Sequence, residues 1–372
     1  MIVHLFEDQK FVDITIENFE NVSSGLNKYI VFSNNKELRY VSRKEQILIL
    51  PNSSYKLDFG LIYKDCQLLI IHFLSPIKLY IMKNRPPNVQ VIWSVWGSDA
   101  YDHFKNQYIY EPLTKKNSQK SLYHFFNKSW FYEIYHFLRY RVKPIRQELE
   151  LLRTINHIIT VLPYEFKIIK KEFGLIAKYI DCNYGVNKFN RFSNVSLGSS
   201  ILIGNSATPT NNHLDVFDII KSTNKRLLVP LNYGALGYRR YRRNIIVQGK
   251  RLFGDRFTPL TTYLPKTEYD DLLLSCNTAI MYHIRQQALG NIFNALFMGM
   301  RVFLNSKSLT YKYLKEEGVI VFDLEKHYNL LGVELDEDEK ENNRNVVLRL
   351  GSRRVIKEKV KGIIDLHNKS VA

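Results

Sequence analysis

Three short stretches carry residue types that can bind a phosphorylated ligand and act on it. Residues 201–213 read ILIGNSATPTNNH, an apolar run that stops at Gly204, Asn205 and Ser206. A helix is expected to start after Thr210 and Asn211, with Asn212 and His213 in its first turn. A glycine at a strand end lets a ligand approach the backbone, and a helix start offers unpaired N–H groups to phosphate. The same letters also spell ordinary turn chemistry. Residues 283–291, HIRQQALGN, follow a second apolar run and open an apolar helix. There Arg285 can fork onto diphosphate oxygens, while Gln286 and Gln287 can hydrogen-bond sugar hydroxyls or an acetamido group. Gly290 and Asn291 close that stretch at the helix start. The third stretch, residues 95–101, reads VWGSDAY. Asp99 can take a proton from a hydroxyl or position a substrate, and it can equally cap the next helix. His72 ends another apolar run, where a satisfied core histidine is the plainer reading.

These stretches need strands behind them. Apolar runs at 2–6, 29–32, 47–50, 67–72, 89–95 and 157–161 predict strands in the first half, and 200–204, 225–230, 278–282, 301–304 and 319–322 predict them in the second. Continuous apolar runs alternating with longer helical segments are the pattern of buried parallel strands in an α/β fold with doubly wound sheets. Ligands then bind beyond the carboxyl ends of the strands. The polar stretch 184–199 marks a boundary. It separates an N-terminal Rossmann-like domain, 1–190, from a C-terminal one, 196–350; a final helix, 351–372, is expected to pack back on the first.

Composition narrows the partners. At 372 residues, 45% hydrophobic and 24% charged, the chain suits two globular domains. Its 53 Lys and Arg against 36 Asp and Glu give +17, which implies work near anions: nucleic acid, phosphorylated substrates or an acidic membrane. Cys66, Cys182 and Cys276 are too scattered for zinc or a disulfide framework, which fits a cytoplasmic setting. The opening residues lack a signal-peptide pattern, and the longest apolar stretch, 68–74, is too short to span a bilayer. No GxGxxG points to a nicotinamide enzyme and no GxxxxGK[ST] to a P-loop; Gly234 and Gly237 lack the third glycine. Asp336, Glu337 and Asp338 belong to an acidic run that reads as a solvated loop or helix start, not as a metal site. Residues 103–147 mix aromatics such as Trp130, Tyr135 and Phe137 with bases such as Arg139 and Arg141. This basic, aromatic insertion suits either an anionic membrane surface or packing on the domain core. The run Arg239 to Arg243 reads as the solvated face of a helix, and no nucleic-acid module surrounds it.

The chain resembles the bacterial TDP-N-acetylfucosamine:lipid II N-acetylfucosaminyltransferases of common antigen synthesis and their O-antigen relatives, within the 4-alpha-L-fucosyltransferase family. The resemblance is carried by Trp93, Trp96, Gly97, Ser98, Asp99 and Tyr101, by Gly204, Asn205 and Ser206 with Asn212 and His213, and by Pro230 with Tyr233. It continues through Tyr269 to Cys276, then Arg285, Gln286, Gln287, Gly290 and Asn305. It departs from the family pattern at Ala207-Thr208, at Ala288-Leu289 and throughout 103–147. It implies a GT-B fold, two Rossmann-like domains facing across a cleft, with a TDP-linked sugar held in the second. It also implies a polyprenyl-diphosphate-linked acceptor at the cytoplasmic face of the membrane, where the protein would sit peripherally. Gly204, Asn205, Ser206, Asn212, His213, Pro230, Tyr233, Arg285, Gln286, Gln287, Gly290 and Asn291 would line the sugar-nucleotide site, with the catalytic Asp99 facing it, as base if the anomeric centre inverts and as a positioning group if it is retained. No obligatory metal or other cofactor is expected. A non-catalytic sugar-nucleotide-binding scaffold of a polysaccharide assembly complex is the alternative.

Overall fold

The eleven apolar runs supply eleven of the thirteen strands in a computed structural model that describes residues 1–35, 37–53, 55, 57–104, 109–118, 130–182, 197–234, 238–262 and 264–371. The expected boundary at 184–199 lies mostly outside the described residues. By contact the chain divides into two compact units, 1–106 with 128–186 and 353–372, and 107–127 with 187–352.

The first unit holds β1 (Ile2–Glu7), β2 (Asn27–Phe32), β3 (Ile47–Leu50), β4 (Leu68–His72), β5 (Gln90–Ser94), β6 (His157–Ile159) and β7 (Lys178–Ile180). They form one parallel sheet in the order β3-β2-β1-β4-β5-β6-β7. Side chains alternate between its faces, so each face builds its own core. Val3, Leu5, Leu69, Ile71 and Trp93 pack with Ile77 and Met82 of helix Pro76–Lys83 and Phe173 of helix Pro163–Phe173. Ile2, Phe6, Leu68, Ile70 and Ile92 pack with Val12, Ile16 and Phe19 of helix Val12–Glu20. Ile356, Val360, Ile363 and Ile364 of the last helix, Arg353–Val371, join that second face.

The second unit holds β8 (Ser200–Ile203), β9 (Leu227–Pro230), β10 (Phe257–Leu260), β11 (Cys276–Met281), β12 (Arg301–Leu304) and β13 (Phe322–Asp323), parallel in the order β10-β9-β8-β11-β12-β13. Both sheets therefore reverse strand order between their first and fourth strands, the switch point at which doubly wound folds open a ligand crevice. Helices His213–Ile219 and Arg239–Phe253 cover one face through Val216, Phe217, Tyr241 and Ile245. Arg239, Arg240 and Arg243 are exposed on the outer side of the second helix.

Two differences from the sequence reading have local causes. The strands β7 and β10 were not anticipated: β7 is short and only partly buried, and β10 carries Thr258 and Pro259, so neither shows an apolar run. The strand expected at 319–322 is only Phe322–Asp323; before it, the Ile320 N–H and carbonyl pair with the Asn343 side chain, at 2.7 and 3.1 Å, instead of a neighbouring strand. The acidic run is the helix start that the sequence allowed: Asp336 Oδ1 accepts from Glu339 N at 2.8 Å, and Glu339 Oε2 accepts from Asp336 N at 3.1 Å.

Residues 103–147 are shared between the units. Asn212 Oδ1 accepts from Glu111 N at 2.9 Å, and Asp215 accepts from Leu113 N and Thr114 N at 2.8 and 2.9 Å. Those bonds seat the start of helix Pro112–Ser118 on the second unit.

Candidate functional site

At the β8–β11 switch point the chain builds a polar hub around one amide. Asn211 Oδ1 accepts from Asn205 N at 2.9 Å and meets His283 Nε2 at 2.9 Å. Its Nδ2 donates to Ser206 O, Ser206 Oγ, Thr208 O and Thr208 Oγ1 at 3.0–3.1 Å. Gly204 makes room for it. With φ at +67°, a β-carbon there would lie 2.5 Å from Asn211 Oδ1, so any side chain would displace the hub. Gln287 ties the second loop to the first: Nε2 donates to Asn205 Oδ1 at 2.9 Å, and Oε1 accepts from Thr210 Oγ1 at 2.6 Å. Asn212, left-handed at φ +53°, donates through Nδ2 to Tyr282 O at 3.0 Å.

Two histidines sit under this hub, both fully desolvated. Burial lowers His213 and His283 to about 3, and the Arg285 charge adds to the effect at His283. Both are therefore neutral. Because Asn211 Oδ1 only accepts, His283 carries its proton on Nε2, and its Nδ1 is a buried acceptor with no hydrogen-bond partner among the described residues. His213 Nδ1 meets Tyr241 OH at 3.2 Å.

Around the hub, Arg285 is half-buried and donates from Nη1 to Gln286 O at 2.9 Å, and Gln286 itself is buried. Helix Leu289–Met298 follows Ala288, which is left-handed at φ +58°, so Gly290 and Asn291 lie in its first turn. Pro230 ends β9, and Ala207 N donates to Tyr233 O at 2.8 Å, which holds the loop beyond β9 against the hub. Past β12, Asn305 and Lys307 both donate to Glu111 Oε1, at 2.8 and 2.9 Å.

Hydrogen bonds thus join Asn205, Ser206 and Gln287 of the expected residues in one network, with Gly204 beneath it. Sequence reasoning missed Asn211, Thr208, Thr210 and His283. Asn211 and His283 were visible only as members of a turn and a strand end, and nothing local says that they meet.

In the first unit, Asp99 is buried and turned inward. Oδ2 accepts from Leu74 N and Trp93 Nε1, both at 2.9 Å, and Oδ1 accepts from Trp96 N at 3.0 Å. Burial raises its pKa, and those three bonds oppose the rise. The carboxyl clamps the loops after β4 and β5 together. Beside it, Lys78 is fully buried and donates to Glu7 Oε2 at 2.6 Å, His72 O at 2.5 Å and Phe73 O at 2.9 Å. Desolvation lowers the lysine and Glu7 opposes it. His72 is a core residue: it meets His4 Nδ1 at 3.0 Å and stacks on Phe6 at 3.9 Å. Lys78→Ala would strand the Glu7 carboxylate and two carbonyls, so it should destabilise the first unit by about 3–5 kcal/mol. A denaturant titration showing less than about 1 kcal/mol of loss would contradict that assignment.

The second unit's stretch carries a family signature. The model of the 4-alpha-L-fucosyltransferases, glycosyl transferase group 56, matches residues 184–335. The matched span contains the whole polar hub and the Arg285 turn. Solved structures match the whole chain. Sucrose-phosphate synthase from Thermosynechococcus elongatus is 12% identical over 98% of both chains, with a TM-score of 0.63. HepE from Anabaena, solved in complex with UDP and glucose, is 12% identical over 98% of this chain and 100% of its own, with a TM-score of 0.64. The wall teichoic acid polymerase TagF is 11% identical over 100% and 88%, with a TM-score of 0.51. At such identities the likeness is one of fold. The chain has a GT-B fold of two Rossmann-like domains.

Proposed function

We propose that the chain is a glycosyltransferase that takes a sugar from a nucleoside diphosphate carrier bound at the β8–β11 end of the second unit. The observation that carries this reading is the Asn211 hub beside Arg285, lying inside the span that the fucosyltransferase model matches. The family match and the fold together support an enzyme that transfers a hexose. In this reading Arg285 meets the diphosphate, and the His283 Nδ1 lone pair accepts from a ligand hydroxyl or N–H group. The hub holds Asn205 and Gln287 in place before the ligand arrives, so little ordering is left to offset binding. Asp99, with both oxygens committed, positions the loop after β5 and does not take the acceptor proton.

The finer reading follows the sequence resemblance. The sugar is a deoxy-acetamido hexose of the N-acetylfucosamine kind on TDP, and the acceptor is a polyprenyl-diphosphate-linked oligosaccharide of O-antigen or common antigen synthesis. Such an acceptor places the protein on the cytoplasmic face of the membrane. On this reading attachment there is peripheral; no helix among the described residues is long and apolar enough to cross a membrane.

A thermal-shift panel of TDP-, UDP- and CDP-sugars tests the donor class. A ligand at about 100 times its Kd adds about 2.7 kcal/mol, a shift of several degrees. TDP-sugars should give the largest shift. A flat panel would end the proposal, and a UDP-sugar winning would keep the transferase and discard the TDP assignment.

A further inference from the structure

We infer that the outer face of helix Trp130–Tyr140, in the first unit, lies on an anionic lipid surface. The helix has one side turned to its own unit: Tyr140 packs on the core cluster that contains Ile77 and Leu79, and helix Pro76–Lys83 runs against it. A different side is apolar and open. Ile134, Phe137 and Leu138 stand at the i, i+3 and i+4 positions of one face and are 46%, 48% and 57% exposed. Tyr135 flanks them at 52%. Globular proteins scatter such residues singly; four on less than two turns form a contiguous patch that marks a docking surface.

The rim identifies the partner. Arg139 lies over the Tyr135 and Tyr140 rings, 5.9 and 5.5 Å from their centroids, and Arg141 lies 4.8 Å above Tyr55. Tyr55 is itself exposed, and its hydroxyl donates to Leu138 O at 2.6 Å, so it extends the patch. The helix and the segment after it, residues 130–147, include Arg139, Arg141, Lys143 and Arg146 against one acidic residue, Glu133, within a chain of net charge +17. Apolar side chains ringed by tyrosines and bases match the layered chemistry of an anionic bilayer: acyl chains within, then the interface, then phosphates. A second copy of the chain is the poorer fit, because pairing this face with itself sets arginines against arginines. Nucleic acid would leave the protruding Phe137 and Leu138 without apolar contact.

The inference rests on the proposed membrane-held acceptor for its purpose, yet it is tested without sugar. The full chain is sedimented with vesicles of phosphatidylglycerol and phosphatidylcholine, and with phosphatidylcholine alone, at low and high salt. Expected are binding to the anionic vesicles, weakening in salt, and a drop of about tenfold or more in the Phe137→Glu, Leu138→Glu double variant. Both substituted positions are exposed, so the variant's circular dichroism and melting should match the parent. Equal binding by parent and double variant, or no preference for anionic vesicles, would overturn the inference. So would a parent that dimerises through this face, or one that binds RNA but not lipid. Lost lipid binding with intact stabilisation by nucleotide-sugars supports this surface; lipid binding without any such stabilisation would fault the proposed reaction instead.

Discussion

Acidification from pH 7.5 to pH 5 is expected to destabilise both units by several kcal/mol each. The first unit buries His4 and His72, and the second buries His213 and His283. Burial lowers His4, His213 and His283 to about 3 and pulls His72 well below its ordinary value. Each is neutral when folded. In the unfolded chain a histidine takes its proton at about 6.5, so acid favours unfolding from there downward until the folded form protonates as well. A histidine held near 3 costs about 2 kcal/mol of stability between neutrality and pH 5, the two in the second unit roughly double that, and in the first unit His72 adds to the His4 effect in the same direction. Asp99 acts in the opposite sense: its raised pKa means that acid relieves a penalty instead of adding one. It is a single group in one unit, so the histidines dominate. Urea titrations at several pH values should show the midpoint falling steadily below pH 6.5, and His4→Gln should flatten the trend in the first unit. Identical midpoints at pH 7.5 and pH 5 would refute the buried neutral assignment.

How far the fold could be read beforehand depended on burial. Runs such as LLII in β4 and ILI in β8 are buried on both sides and announce themselves as strands. The edge strands β7 and β10 face fewer neighbours, so their residues carry no such constraint. The site was half legible for a different reason. Gly204, Arg285 and Gln287 stand out locally because they follow apolar runs and are residue types that suit a phosphate or sugar ligand. Asn211 is one letter in a turn, and its role comes from bonds to Ser206, Thr208 and His283 that depend on β8 and β11 being neighbours. Lys78 was hidden more thoroughly. In the stretch IKLYIMK a lysine reads as the solvated position of a helix, yet its ammonium is held by Glu7 and the carbonyls beyond β4. Asp99 was noticed for its chemistry, and only the fold reveals that its oxygens point into their own unit.

If Arg285 meets the donor diphosphate, as proposed, Arg285→Ala is expected to lower sugar transfer by about 10²–10³-fold while leaving the melting temperature almost unchanged. The hub is held by Asn211, Gln287 and Thr210, and none of those bonds passes through the guanidinium. A bond from Nη1 to the Gln286 carbonyl, within the same turn, aims the side chain. The histidine beside it is neutral, so no positive charge from His283 substitutes for the missing guanidinium. When the glycosidic bond to the nucleotide breaks, negative charge grows on the departing diphosphate, and a half-buried guanidinium stabilises it more than water would. The loss should therefore appear mainly in kcat, with a smaller rise in KM for the sugar nucleotide. Arg285→Lys should fall between the two, since it keeps the charge and loses the fork that spans two oxygens. Unaltered transfer by the alanine variant would remove Arg285 from the reaction. Lost transfer with a matching loss of melting temperature would instead make it a structural residue.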